Sequence, residues 1–350
     1  MAANEVHLDA DGREVRVTSP ERVIFPELGI TKLDIVQYFL AVGPGILAAL
    51  RDRPTTMERW PKGVFEGAKL STRGDNAGDA FYQKRVPKFA PDWVETVTIA
   101  FPSGRTADEV CPTELAVVAW MANLGTLTFH PWPVTRADAD SPDQLRIDLD
   151  PQPGTDFTSA VPVAHELRAL LAEHGMTGYP KTSGGRGLHV FVPIAAQWSF
   201  VQARRATIAV GRELARRMPE QVTVNWWKEE RGERIFIDFN QMARDRTMAS
   251  AYSVRPSPRA QVSAPLTWDE VTTARPADFT VSTMPARFAD VGDQCTGLYG
   301  PERYPLDSLL ELAARDERDR GEGDMPYPPE YPKMPGEPLR VQPSRKARHD

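Results

Sequence analysis

The chain predicts an α+β fold with a mixed central β-sheet flanked by helices. Short apolar segments alternating with period two interleave with longer segments of helical period, and no strict βαβ repeat recurs. With 350 residues, 41% of them hydrophobic, the chain can bury a substantial core, as one large domain or two fused halves.

Thr31-Lys-Leu-Asp34 supplies an N-cap and an acidic third position for a helix burying Ile35, Val36, Phe39 and Leu40. Pro44 opens a second short helix ending near Arg51, and Glu95 to Ala100 alternates as a strand. Pro112 to Asn123 reads as an apolar helix stopped by Gly125, followed by a strand carrying His130. From Leu145 the chain forms a short strand that Pro151 and Pro153 stop, leaving Asp148 and Asp150 at its carboxyl end, and a helix from about Ser159 to His174 ends at Gly175. A glycine-rich turn and strand follow, then a helix from about Ser199 to Met218 and strands near Gln221 and Arg234. A helix from Leu306 to Arg315 closes the compact part, expected to be residues 1–315. Beyond it, Asp316 to Asp324 is a charge run and Met325 to Pro343 holds seven prolines. Residues 316–350 are therefore expected to be a disordered tail ending in the basic Arg345-Lys-Ala-Arg348.

Two cysteines, Cys111 and Cys295, are too few for a disulfide scaffold or zinc cluster. No apolar run is long enough to span a membrane and the start is not a signal peptide, so a cytoplasmic protein is expected. The net charge of −6 runs against nucleic-acid binding unless charge is local. Phosphate contacts answer to charges within about 10 Å. Arg204, Arg205, Arg212, Arg216 and Arg217 on one predicted helix are a candidate patch, or simply a solvated face.

Three motifs carry chemistry. Asp148 and Asp150 project from one face of their strand, while Ile147 and Leu149 point to the other. Alone, such a pair reads more readily as two solvated aspartates before a turn; together they suit a hard divalent cation, magnesium or manganese. Asp238 stands in the apolar strand Arg234 to Phe239 and needs a cation, a basic partner or a proton. Three carboxylates on two strands suffice for a two-metal site aligning an in-line phosphoryl displacement. Between them, Ser183-Gly-Gly-Arg-Gly-Leu-His189 offers glycines for close anion approach, a hydroxyl and a guanidinium. It is neither a Walker loop nor a dinucleotide fingerprint, since no helix follows at once.

The order of two carboxylates, glycine loop with histidine, and one carboxylate resembles the polymerase domain of bacterial DNA ligase D, within the archaeo-eukaryotic primase superfamily. The similarity runs from about Val15 to about Arg255. It takes in Arg59-Trp-Pro-Lys-Gly63, Ala80-Phe-Tyr-Gln-Lys84, Phe129-His130 and Ala251-Tyr-Ser-Val-Arg255. The resemblance implies a primase-polymerase fold, Asp148, Asp150 and Asp238 as ligands of two Mn²⁺ or Mg²⁺ ions, and His130 as the active-site histidine. It implies Ser183, Arg186 and His189 as the triphosphate set, and Phe81 and Tyr82 as the pair on which template bases stack. Arg59, Lys84, Arg246 and Arg255 match basic positions around nucleotide and DNA. Ser19, Arg22 and Lys32 match a grip on a downstream 5′-phosphate, with Ser19 where the family commonly has asparagine. Arg231 falls in a loop that bridges broken ends in relatives. The segment Val64 to Ala80 is extra.

What this implies is DNA-dependent addition of ribo- or deoxyribonucleotides to a primer 3′-hydroxyl, filling gaps during double-strand break repair by end joining. A monomeric, nucleoid-associated enzyme is expected, its substrates nucleoside triphosphates and gapped or broken duplex with a 5′-phosphate, its partners Ku and a separate DNA ligase. Priming or excision-repair gap filling keeps the chemistry and changes the task. A DNA-end-binding protein without catalysis is the alternative of another class, disfavoured by the presence of all three carboxylates.

Overall fold

The computed structural model describes residues 4–71, 78–329 and 331–340. Strands β1 (Glu5–Asp9) and β2 (Glu14–Thr18) form an antiparallel hairpin, and β3 (Val23–Phe25) pairs with β4 (Ile30–Thr31). Helix α1 (Lys32–Ala41) starts where the sequence predicts, because the Asp34 amide donates to Thr31 Oγ1 while the Thr31 amide donates to Asp34, closing a capping box. Helix α2 (Gly43–Leu50) follows, then β5 (Thr55–Arg59), β6 (Phe81–Gln83), β7 (Thr96–Ala100) and β8 (Thr106–Val110). Helix α3 (Leu115–Asn123) begins three residues later than expected and gives way, through Gly125 at φ 86°, to β9 (Thr126–Pro131). Strands β5 to β9 make one antiparallel sheet, ordered β6-β5-β8-β7 with β9 on β5. Its core with α1 to α3 includes Phe39, Ile46, Met57, Val117, Met121 and Phe129.

The second half holds β10 (Gln144–Pro151), α4 (Phe157–Glu173), β11 (Tyr179–Thr182), β12 (Leu188–Pro193), α5 (Phe200–Arg217), β13 (Val222–Thr223) and β14 (Ile235–Ile237). The sheet order is β11-β12-β10-β14-β13, mixed because β13 runs parallel to β14 while the other pairs are antiparallel. Leu145, Ile147 and Leu149 face α4 and α5, meeting Leu167, Val210 and Ile237 in a second core. Short helices α6 (Trp268–Val271) and α7 (Met284–Val291) precede α8 (Asp307–Arg320), which lies along α5. The expected class stands, with two large sheets in place of one. Arg146 joins the halves: from β10 its buried guanidinium donates to the carbonyls of Pro131 (2.5 Å) and Trp132 (3.0 Å). Among the described residues no single helix is long and apolar enough to cross a membrane.

Two expectations are corrected. The arginines of α5 are not a free cationic face. Arg205 pairs with Glu317, and Arg216 with Glu213, Asp316 and Glu322. Arg217 pairs with Glu166, Glu173 and Glu213. Arg212 donates to the Glu322 carbonyl, and Arg204 is buried. The change of composition at Asp316 does not end the packed chain either. Helix α8 continues to Arg320, Gly321 reverses the backbone at φ 67°, and Arg204 donates to Asp324 and to the carbonyls of Met325 and Pro326. A guanidinium 1% exposed must find acceptors for its fork. Beside Asn240 Oδ1, those acceptors come from residues 324–326, in the tail that composition alone had assigned to solvent. Arg345 to Arg348 lie outside the described residues.

Glu109 on β8 is fully buried. Its Oε2 accepts from Thr56 and the Trp132 indole, each at 3.2 Å, while Oε1 has no partner among the described residues. Burial pushes its pKa up to about 7. A carboxyl whose folded pKa is raised stabilises fully below the unfolded value of 4.5 and loses that contribution as pH rises through 7. Glu109→Gln is thus expected to gain on the order of 1–3 kcal/mol over the parent at alkaline pH and nothing at acid pH. Denaturant melts at both pH values check this.

Candidate functional site

The acidic cluster is assembled by register. On β10, Asp148 and Asp150 are half-buried between the buried Ile147 and Leu149, on the opposite face. Asp148 stands opposite His189 of β12 and Asp150 opposite Phe236 of β14. Asp238 lies one residue past β14, not within a strand, where it caps the turn Phe239–Met242; its amide donates to the Asp148 carbonyl at 3.1 Å. Asp238, far from Asp148 and Asp150 in sequence, is therefore their backbone neighbour.

Their electrostatics agree. Burial, then the charges of Asp238 and Asp150, hold the Asp148 carboxyl well above its ordinary pKa. Burial raises Asp238 too, against donors from Gln241 Nε2 (2.9 Å) and the Asn240 amide (3.1 Å). Gln152 Nε2 donates to Asp150 at 2.9 Å. Among the described residues no three acidic, histidine or cysteine side chains converge as a ready ion cage. The amides of Gln152 and Gln241 occupy oxygens that an ion would claim. As a donor set, the cluster still fits hard divalent cations: carboxylate oxygens only, crowded enough to repel, with displaceable amide donors.

The glycine loop adjoins this cluster. Ser183 Oγ accepts from the amides of Gly185 (3.1 Å) and Gly187 (3.0 Å), so the hydroxyl expected to face an anion also shapes its own loop. Gly184, at φ 74°, leaves no room for a Cβ beside the Arg255 side chain. Gly187 leaves none over the Leu149 carbonyl, where a Cβ would sit at 2.9 Å. Arg186 reaches toward the Pro151 carbonyl at 3.5 Å. His189 puts Nε2 3.5 Å from Asp148 Oδ1, and burial with nearby cations holds its pKa well below the usual value. This pair is a contact of a neutral imidazole with the cluster.

Two residues that sequence reading missed complete the second rank. Lys181 is 2% exposed and contacts His189 Nδ1 (2.8 Å), the Ala249 carbonyl (2.8 Å) and Ser263 Oγ (2.7 Å). Burial depresses its pKa well below a free lysine's, yet three acceptors match the three N–H bonds of an ammonium. An ammonium donating to Nδ1 would leave the imidazole proton on Nε2, facing Asp148. Glu58 is the other: His130 Nε2 donates to it at 2.9 Å and the Trp60 indole at 3.0 Å. Burial lowers the His130 pKa although Glu58 opposes it, and the Tyr82 ring meets His130 edge-on at 5.4 Å. A strand lysine preceding a glycine loop was a visible signal for Lys181. Glu58 gave none, because its pairing depends on the register of β5 against β9.

Arg255 couples the two groups: its charge acts on Asp148, His189 and Lys181 on one side, and on Glu58, His130 and Tyr82 on the other. Phe81 and Tyr82 sit on edge strand β6, with Arg59 over the Phe81 ring at 5.2 Å and bonded to Gln83 and the Leu124 carbonyl. Lys84 pairs with Asp245 and lies 4.4 Å from the Phe101 ring. A cavity of about 650 Å³ contains Asp150, Asp238, Trp226, Arg231 and Arg246, and one of about 560 Å³ contains Tyr82, Lys84, Arg105 and Arg246. Arg231 does not project outward as a bridging loop residue would. It stacks 3.4 Å over Phe236, donates to the Asn225 and Trp226 carbonyls, and feels Asp238 and Asp150.

Ser19, Arg22 and Lys32 are brought together between β2 and the start of α1. The amides of Arg22 and Lys32 bond to the carbonyls of Ser19 and Arg22, and Lys32 Nζ donates to Thr18 at 3.3 Å. Burial, then the Arg22 charge, lowers the Lys32 pKa to about 8. The extra segment is described only at 64–71 and 78–80, where Leu70 bridges Ala80 and Lys62 pairs with Asp79.

Comparison with known proteins identifies the family and the fold. The family described as "LigD, primase-polymerase domain" matches residues 31–295. The multifunctional non-homologous end joining protein LigD of Mycolicibacterium smegmatis is 32% identical over 326 residues, 91% of this chain and 40% of that protein. The bifunctional non-homologous end joining protein LigD of Bacillus subtilis is 30% identical over 300 residues, 85% of this chain and 46% of that protein. The chain thus spans less than half the length of these relatives. Among solved structures, the polymerase domain of Mycobacterium tuberculosis ligase D in complex with DNA superposes with a TM-score of 0.73 at 29% identity, covering 81% of this chain and 98% of that one. Three aspartates joined by strand register, a glycine loop with its histidine, and a family match across most of the chain lead to one assignment: this protein belongs to the LigD primase-polymerase domain family.

Proposed function

We propose that the protein adds ribo- or deoxyribonucleotides to a primer 3′-hydroxyl across short gaps in broken DNA. The observation carrying this is the register that makes Asp148, Asp150 and Asp238 neighbours beside the glycine loop. Those aspartates would hold two divalent cations, manganese or magnesium, which when bound supply the Lewis acidity that lowers the hydroxyl pKa and neutralises leaving pyrophosphate. The chain's own residues do the positioning. Amides of the loop and Arg186 cradle the triphosphate, His189 presents Nε2–H beside Asp148, and Arg255 holds charge near both. Phe81 and Tyr82 offer flat faces on which template bases stack without regard to sequence.

Ser19, Arg22 and Lys32 would take the downstream 5′-phosphate, which favours gap filling in end joining over priming. The names of the relatives support that context, with Ku and a separate DNA ligase as proposed partners.

The test is extension of a gapped duplex, with and without a 5′-phosphate, with each nucleotide pool and each metal. Phosphate-dependent incorporation is expected; equal use of an unprimed template would overturn end joining in favour of priming. Above pH 8 the free Lys32 begins to lose its proton, and binding a phosphate must restore it. The preference for the phosphorylated gap is therefore expected to weaken as pH rises through about 8, and to be flat with pH in Lys32→Met.

A further inference from the structure

The most built feature outside the acidic cluster is the C-terminal segment. Its start is clamped by Arg204, which also stacks 3.8 Å from the Tyr327 ring. Its far end is pinned by the buried Glu337 carboxylate, which accepts the amides of Tyr327 (2.9 Å) and Met334 (3.0 Å). The segment crosses the turn after Asp238: Asn240 Nδ2 donates to the Pro326 carbonyl at 3.3 Å while its own amide serves Asp238. It then fronts both cavities. Pro328 and Pro329 wall the one holding Asp150 and Asp238, and Tyr331 and Pro332 wall the one holding Tyr82 and Lys84. Arg246 lies on both walls, its guanidinium 5.7 Å from the Tyr331 ring, and its charge reaches Asp238. All of these strap residues lie beyond residue 295, where the family match stops.

We propose that residues 324–329 and 331–340 form a strap that is one wall of the nucleotide-binding cleft, with Tyr331 as a positioning residue for Arg246. An arginine that shares a cavity with Asp150 and Asp238 is drawn onto them; an aromatic face beneath its guanidinium holds it at the junction of the cavities, where an anionic ligand would meet it. The proline density now has a purpose, since fixed φ angles let a segment without helix or strand keep one shape at low entropic cost. This inference rests on the reading of the acidic cluster as a nucleotide site.

Tyr331→Ala, Tyr331→Leu and Tyr331→Phe in the full chain test it, by steady-state extension of a gapped duplex and by anisotropy of a fluorescent ribonucleoside triphosphate with manganese. Removal of the ring is expected to raise nucleotide KM and Kd about tenfold, as loss of an outer positioning group does, with kcat within about twofold. Phenylalanine should restore parental values. Should Tyr331→Ala unfold, leucine decides, because it keeps apolar packing without a π face. A leucine variant that binds nucleotide like the parent, or a phenylalanine variant that fails to, overturns the strap's role. If the parent itself neither binds nor adds nucleotides, the functional reading falls first and this inference with it. If the parent works and the leucine variant matches it, only this inference falls.

Discussion

Replacing Asp148 by asparagine is expected to lower nucleotide addition by about a thousandfold or more, on the scale of losing a principal transition-state electrostatic partner. Affinity for a gapped duplex should stay within about twofold, since the bases and the 5′-phosphate meet other surfaces. The two effects separate because Asp148 sits at the centre of its cluster, with Asp150 beside it on β10 and Asp238 bonded to its carbonyl. Asparagine keeps the shape and removes the charge. The same change predicts a stability signature. The folded pKa of Asp148 is raised, so its contribution is present below the unfolded carboxylate value and lost as pH rises above it. At neutral pH the metal-free variant should therefore melt above the metal-free parent. Manganese should stabilise the parent, by roughly 2.7 kcal/mol at a hundred times Kd, and the variant far less. A variant that extends primers normally, or that responds to manganese as the parent does, sinks the metal assignment.

The part of this site legible in the sequence is the part carried by local period and turn chemistry. Alternation around Ile147 and Leu149 placed both aspartates on one face, and the Thr31 capping box and Gly125 set the ends of α1 and α3 as observed. What could not be read depends on which strand lies next to which. Glu58 reaches His130 only because Thr56 of β5 stands opposite His130 of β9, a pairing no local pattern encodes. The α5 arginines misled for a related reason. A helical arginine row looks like a surface for binding a polyanion until α4, α8 and the C-terminal strap deliver carboxylates to it. Proline content misled in the opposite sense. It excludes helix and sheet but not a packed irregular segment, provided buried partners such as Arg204 and Asn240 take up its carbonyls.

Replacing Lys181 by methionine is expected to lower kcat/KM for nucleotide addition by about ten- to a hundredfold, the range in which an outer group orienting a site histidine acts. Methionine fills the channel occupied by the lysine stem but donates nothing, leaving His189 Nδ1, the Ala249 carbonyl and Ser263 Oγ without their shared partner. Each buried acceptor so stranded costs about 1–3 kcal/mol, offset in part because the ammonium no longer has to be held out of water. A loss of stability alone would not identify the role, since any buried lysine could produce it. The distinguishing readout is the imidazole: nitrogen chemical shifts should report Nε2–H in the parent and a mixture of tautomers in Lys181→Met. Ser263→Ala removes one acceptor while sparing the Lys181–His189 contact, and is expected to cost stability with kcat/KM within about threefold, as a peripheral hydrogen bond does. If the methionine variant keeps the parental tautomer and turns over normally, Lys181 is a buried structural amine, and His189 owes its orientation to the β10–β12 register alone.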